Sequence, residues 1–211
     1  MSNVKTARLA ALAGVLIFVS TTAVLVARQF NLGPDRPAPG FRTFGPDTAA
    51  IQIYEYTDFA CPACRHAALA MDDIIKIYGA GVKLSFKHYP LESIHPWSAS
   101  AAAHADCAGE QGKFKEYAAA LFETQEAWAR AEEKPAQFEA YAKILNLNWV
   151  KMQACAKDPA TLRRVKLDMA EGGIKGVNAT PTFFINGKRA VGGAQLLEQA
   201  RKFEAILRNS R

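Results

Sequence analysis

The chain alternates between two hydrophobic rhythms. Ala50 to Tyr56 (AIQIYEY) is rich in β-branched and aromatic side chains and has the length of a buried strand. From Pro62 the period lengthens. Ala67, Met71, Ile74, Ile75 and Tyr78 fall on one helical face, while Asp72, Asp73 and Lys76 point the other way. Gly79 and Gly81 close that helix, and Val82 to His88 (VKLSFKH) alternates as a second strand. Strand, helix and strand in this order predict a parallel, right-handed unit.

A long helical region follows. Phe114, Tyr117, Ala118, Leu121 and Phe122 share one face, as do Phe138, Tyr141, Ala142 and Leu145. A short helix starts at Asn148 and carries Trp149, Met152 and Cys155. Asp158-Pro159 reads as an N-cap followed by proline in the first turn of a helix that runs to Gly172-Gly173. Thr182 to Ile185 and Lys188 to Val191 form a hairpin around Asn186-Gly187, and a final helix buries Leu196, Ala200, Phe203 and Leu207. The order β-α-β, helices, α-β-β-α predicts an α/β sandwich with a helical insertion at about residues 95–158.

The N-terminus has a different pattern. Leu9 to Ala27 contains no charged residue, and as a helix it would be about 28 Å long, near the hydrocarbon thickness of a bilayer. Residues 1–28 therefore read as a transmembrane anchor, with a cleaved signal peptide as the alternative. Either sends the rest of the chain out of the cytoplasm. Residues 29–48, with three glycines and four prolines, read as a semi-extended tether without a fold of its own, which leaves 49–211 as the folded domain.

Charge narrows the partners. Residues 1–48 hold half of the net charge of +6, and no basic stripe or aromatic-basic motif appears, so a nucleic-acid partner is not expected.

Chemistry concentrates in TDFACPACRH (Thr57 to His66). Cys61 falls at the predicted strand-to-helix junction, where free N–H groups and the helix dipole favour a thiolate. A lowered thiol pKa makes that sulfur both a nucleophile and a good leaving group. Cys64, one turn on, is placed to close a small disulfide ring. A metal site is the competing reading, but there is no second CxxC and the remaining ligands would have to be the distant His88, His95 or His104. Two inert core thiols are the third.

The segment EYTDFACPACRHA resembles the active-site region of the DsbA-like branch of the thioredoxin superfamily. Further matches are KHYPL (87–91), HADCAGEQGKF (104–114), GVNATPTFFING (176–187) and VGG (191–193). The resemblance covers roughly residues 46–211 and implies a thioredoxin-like fold with an inserted helical domain. It implies a cis bond between Thr180 and Pro181 facing the cysteines, with Thr180 tuning the sulfurs. It also gives Glu55, six residues before Cys61, the role of proton acceptor for Cys64. Independently of that, Glu55 shares a strand face with Ile51 and Ile53, where a lone carboxylate needs a task or a partner. Asp58 reads as a loop or capping residue, and His88, His95 and His104 as structural.

Cys107 and Cys155 both fall in the insertion. In an exported protein, pairing is the simple reading, and two buried free thiols are the alternative.

The activity implied is a thiol–disulfide oxidoreductase that forms disulfides in exported proteins, without a cofactor or metal. Its partners would be protein thiols, a quinone-linked membrane reoxidase or a reductant, and the inner membrane. The catalytic domain would face the periplasm or outside; a soluble periplasmic or secreted form is the alternative. The family's best-known member has a histidine where Ala63 stands, so a reductase or isomerase remains the second reading and a thiol-based metal carrier the third.

Overall fold

The structure is a computed structural model that describes residues 36–210 together with Thr21 and Thr22. The chain divides into two compact units, Met1–Arg36 and Pro37–Arg211. The span expected from Leu9 to Ala27 lies outside the described residues. Among the described residues, no helix is long and apolar enough to cross a membrane.

The second unit is built on a mixed sheet of five strands. These are β1 (Thr43–Phe44), β2 (Ile51–Thr57), β3 (Val82–His88), β4 (Thr182–Ile185) and β5 (Lys188–Val191), in the spatial order β1-β3-β2-β4-β5. β2 and β3 are parallel, linked by α1 (Pro62–Tyr78), and the other pairings are antiparallel. Asn186 and Gly187 turn the β4–β5 hairpin with φ of 46° and 79°, the left-handed geometry that a two-residue hairpin demands.

The strand pleat sorts side chains onto two faces. Ile51 and Ile53 of β2 lie in register with Val82 and Leu84 of β3, and Ile53 with Ile185 of β4. With Ala67, Met71 and Ile74 of α1 they form one core, closed by α7 (Gly192–Ala200) and α8 (Phe203–Asn209) through Leu196, Ala200 and Phe203. The final helix expected from the sequence is thus two helices, broken at Arg201-Lys202. Four helices stand between β3 and the long α6 (Pro159–Ile174): α2 (Ser98–Glu110), α3 (Phe114–Glu123), α4 (Gln137–Ile144) and α5 (Trp149–Lys157). Their core contains Tyr117, Leu121, Trp128 and Phe138 and is continuous with the residues around the CxxC. Cys107 of α2 and Cys155 of α5 are joined in a disulfide. By the loop-entropy estimate a crosslink of this span is worth about 4 kcal/mol.

The tether expected over 29–48 requires correction where it is described. Arg42 ends a short 3₁₀ turn (Gly40–Arg42), and Thr43 and Phe44 pair with Ser85 and Leu84 of β3. Gly45 has φ +95°, and a Cβ there would sit 2.2 Å from the Val82 carbonyl oxygen, so only glycine lets the segment lie this close. The fold therefore begins near Pro37 rather than at 49. What docks the segment is Arg42, which is fully buried.

Arg42 enters a buried ionic layer around Lys87 and His88 at the end of β3. Its Nε lies 3.1 Å from Asp106 Oδ1 of α2, and its Nη1 pairs with Asp168 of α6. Lys87 of β3 meets Glu171 at 2.8 Å, the His88 ring contacts Asp106 at 2.8 Å, and Arg164 Nε donates to Asp106 Oδ2 at 3.1 Å. Three cations face three carboxylates. Burial and the nearby Arg42 lower the His88 pKa, while Asp106 and Asp168 oppose the fall. Burial opposes ionisation of Asp106, yet His88, Arg42 and Arg164 together hold its carboxyl at about 2.

A buried ion loses its compensation when one partner is removed. Asp168→Ala should therefore cost about 3–5 kcal/mol, read as a lower urea midpoint. Removing the exposed Glu116 carboxylate from its pair with Lys113 should change stability by less than about 0.5 kcal/mol.

Candidate functional site

Cys61 is the N-cap of α1. It keeps an extended backbone (φ −83°, ψ 121°), and Pro62 occupies the first helical position, where a missing N–H costs nothing. The Cys61 carbonyl accepts from Cys64 N at 3.0 Å and Arg65 N at 3.2 Å, so the helix begins at this residue. Cys64 lies on the inward face with Ala67 and Met71 and is fully buried, whereas Cys61 is 9% exposed. The sequence places the two sulfurs one turn apart, and the helix start gives them opposite environments. Both are free thiols.

The electrostatics follow that asymmetry. A hydrogen bond from Cys64 is the largest influence on Cys61. Partial burial opposes it, but the Thr180 side chain and the backbone N–H groups of Cys64 and Ala63 add to it, and the thiol falls to about 5. Burial, and then the neighbouring Cys61 thiolate, push the Cys64 thiol far above the ordinary range. The pair thus contains one sulfur ionised at neutral pH and one held as a thiol.

Three distant parts of the chain hold this corner. The loop between β4 and α6 brings in Thr180, whose carbonyl oxygen lies 3.5 Å from Cys61 Sγ; the Thr180–Pro181 bond is cis. Gln125, after α3, donates from Nε2 to the carbonyls of Phe59 (2.6 Å) and Cys61 (3.0 Å) and so clamps the turn from outside. Asp58 accepts from Ala60 N and Leu91 N and pairs with His95 Nδ1 at 2.7 Å, while its own N–H donates to Cys64 Sγ at 3.5 Å. Gln125 and the Asp58–His95 pair did not stand out in the sequence, since neither lies in a repeating pattern with its partner.

Glu55 sits on β2 facing α1, 2% exposed, and its Oε1 meets no hydrogen-bond partner. Burial pushes its carboxyl up to about 7; the Thr57 hydroxyl opposes the rise and Asp72 adds to it. Thr57 also acts on Cys64, lowering its thiol against the effect of burial. One buried hydroxyl thus neighbours both the acid and the second sulfur. His88 and His104 lie away from this corner, in the ionic layer and against Trp149 and Phe138 respectively. Cys107 and Cys155 are occupied by each other. Among the described residues, no cluster of three or more His, Cys, Asp or Glu side chains is arranged to hold a metal ion.

Residues 38–205 match the family model described as thioredoxin. A curated relative, a protein named Na(+)/H(+) antiporter NhaA 3 from Salinispora tropica, is 34% identical over 145 residues, which are 69% of this chain and 21% of that protein. The chain thus spans about a fifth of the length of that relative. Among solved structures, α-DsbA1 from Wolbachia pipientis superposes with a TM-score of 0.72 at 20% identity, covering 82% of this chain and 94% of that one. Oxidised BdbD from Bacillus subtilis gives 0.70 at 22% identity, covering 82% and 96%. The fold is the one the DsbA-type thiol–disulfide oxidoreductases share: a thioredoxin-like sheet with a helical insertion.

Alkylation of the reduced protein by iodoacetamide should label Cys61 with a midpoint near pH 5 and leave Cys64 unlabelled across the neutral range. Mass spectrometry of the peptide after partial reaction checks the site; equal labelling of both thiols would contradict the asymmetry. For Glu55, a raised carboxyl pKa means the folded state loses stability as pH rises from the unfolded value of 4.5 through about 7. Glu55→Gln should thus be more stable than the parent at pH 8, by roughly 3 kcal/mol. The gain should vanish near pH 4.5, as followed by urea denaturation.

Proposed function

Because the chain belongs to the thioredoxin family, we propose that it exchanges disulfides with protein thiols through Cys61 and Cys64 and acts as an oxidant of exported proteins. The observation that carries this reading is the unequal pair of sulfurs at the start of α1. In the disulfide form, a substrate thiolate attacks Cys61 Sγ, the more exposed of the two. The Cys61–Cys64 bond breaks, a mixed disulfide forms, and Cys64 departs with the electron pair. Its high proton affinity requires a proton at once. Glu55, with a carboxyl near 7 and Thr57 between, is suited to supply it and to take it back on reoxidation.

The second substrate thiolate then attacks the substrate sulfur and expels Cys61 as a thiolate. A leaving group with a pKa near 5 departs readily. The substrate dithiol has lost two electrons and the enzyme disulfide has gained them. Stabilising the reduced enzyme as its thiolate makes the disulfide a stronger oxidant, which favours donation of the bond over its reduction. The Thr180 side chain beside Cys61 lowers its thiol, and the backbone beside Pro181 offers an extended substrate segment a place to pair.

In this reading residues 9–27 tether the domain at the outer face of an inner membrane, and a quinone-linked membrane protein restores the disulfide. The uncharged run of the N-terminus supports the tether. The name of the antiporter relative is a statement about that much longer protein, and none of its activity is carried over. Reduction or isomerisation by the same pair remains the second reading, favoured by Ala63 in place of a histidine.

Equilibration of the purified chain with glutathione buffers separates the two. A donor of disulfides should have a potential of about −200 mV or higher, and a value near −270 mV, that of thioredoxin, would point to the reductase. Cys64→Ala should accumulate mixed disulfides with substrate proteins, visible on non-reducing gels. The stability advantage of the reduced over the oxidised protein should shrink as pH falls from 7 to 5, because the depressed Cys61 pKa contributes only while that thiol is ionised.

A further inference from the structure

The turn that leads into α1 contains a carbonyl that its own hydrogen bond does not reach. Cys61 N donates to the Asp58 carbonyl at 3.1 Å and closes a turn over Asp58–Cys61. The Phe59 carbonyl lies within that span but outside its closing bond, and Phe59 and Ala60 are buried. A buried carbonyl left without a donor costs free energy. Gln125 supplies the donor. Its Nε2, which carries two hydrogens, donates to the Phe59 carbonyl at 2.6 Å and to the Cys61 carbonyl at 3.0 Å. One amide group thus joins the turn to the first acceptor of α1. The Cys61 carbonyl also receives Cys64 N and Arg65 N, so a shift of that oxygen shifts the first turn of the helix. The N–H groups of Ala63 and Cys64, which stabilise the Cys61 thiolate, belong to that turn.

Gln125 is itself held in place. It is buried just after α3, and its carbonyl accepts from Trp128 N at 3.2 Å and Ala129 N at 2.9 Å. Trp128 is fully buried, donates from Nε1 to the Leu121 carbonyl at 2.9 Å and packs edge-on against Phe138. From the other side the Phe59 ring stacks on Phe86 and meets Phe122 of α3 with ring centres 5.0 Å apart. We propose that Gln125 is a positioning residue for disulfide exchange. It holds the Cys61 turn so that the first N–H groups of α1 stay aimed at the Cys61 sulfur, and it makes the reactivity of the pair depend on the packing of the insertion. The proposal rests on the reading of Cys61 as the attacked sulfur. Arg65, in the same helical turn, pairs with Glu126 at 3.0 Å, but Glu126 is 88% exposed and such a pair holds little.

Gln125→Met in the purified full chain tests it, since methionine keeps the length of the side chain and removes both donors. In the reduced variant the midpoint for alkylation of Cys61 by iodoacetamide should rise from about 5 to about 6. Equilibration with glutathione buffers at pH 7 should show a dithiol about tenfold easier to oxidise, a potential lower by about 30 mV. Glu126→Gln should leave both quantities within about twofold of the parent. Gln125→Asn, which draws the same amide back by one methylene, should move both in the direction of Gln125→Met, and it decides the matter if the methionine variant does not fold. Circular dichroism checks the fold of each. A lower urea midpoint with no rise in the alkylation midpoint and no fall in the potential would make Gln125 a structural residue and overturn the proposal. A shift of the same size in Glu126→Gln, or failure of both Gln125 variants to fold, would overturn it as well. A parent Cys61 that titrates like free cysteine would sink the reading of the exchange site and this proposal with it; a parent near 5 with unshifted variants overturns the proposal alone.

Discussion

Everything at the site depends on the chain starting a helix at Cys61. Cys61 must give its carbonyl to α1 while its own thiol stays outside the first turn, where backbone N–H groups have no helical partner. That one arrangement makes its thiolate favourable and places Cys64 one turn inward, where burial makes a thiolate costly. It cannot be maintained locally. Gln125 holds the turn through two carbonyls, Asp58 holds the loop behind it, and Thr180 closes the third side. Those three residues come from the insertion, the end of β2 and the approach to β4. The tertiary fold is the device that brings them to one helix end.

The fold handles buried charge in two opposite ways. Around the end of β3, Arg42, Lys87 and Arg164 meet Asp106, Asp168 and Glu171, with His88 against Asp106. Desolvation of each ion is offset by partners at hydrogen-bond distance, so breaking any one link exposes the cost of the rest. Between β2 and α1, Glu55 has no such ion pair, and burial raises its proton affinity to about 7. The balanced layer fixes the N-terminal segment, β3, α2 and α6 to one another. The Glu55 carboxyl is left able to change charge near neutrality.

How much of this was legible in sequence depended on whether the signal was local. The alternation of β2 and β3, the apolar stripe of α1, the Asn186-Gly187 turn and the Asp158-Pro159 cap are short-range patterns, and the structure has an element at each. α2 gave no such stripe. Ser98–Glu110 is rich in alanine and buried almost all round, from Ala101 to Gly109, so no polar face exists to set a period. The segment around Gly40–Phe44 carries the glycine and proline of a linker, and the partners that dock it, Asp106 and Asp168, lie more than sixty residues away. Of the site, the two cysteines, Thr180, Pro181 and Glu55 could be singled out because each belongs to a motif. Gln125, His95 and Thr57 could not, because what each does depends on a neighbour that only the fold supplies.

The absence of a histidine between the two cysteines also looks different once the fold is known. A side-chain donor at position 63 would be one way to hold the Cys61 thiolate, and its loss suggests a weaker acid. In this structure the Cys61 thiol falls to about 5 without it, because the contributions come from the Cys64 thiol, the Thr180 side chain and the backbone N–H groups of Ala63 and Cys64. Backbone amides contribute whatever side chain stands at 63, provided the helix starts where it does. The stabilisation of the thiolate therefore comes first from the Cys64 thiol and the Thr180 side chain, with the backbone N–H groups of the helix start adding to it. That start is held by Gln125 on the Cys61 carbonyl and by Asp58 in the preceding loop. The acidity of the Cys61 thiol is then a property of the insertion and the loop as much as of the CPAC sequence.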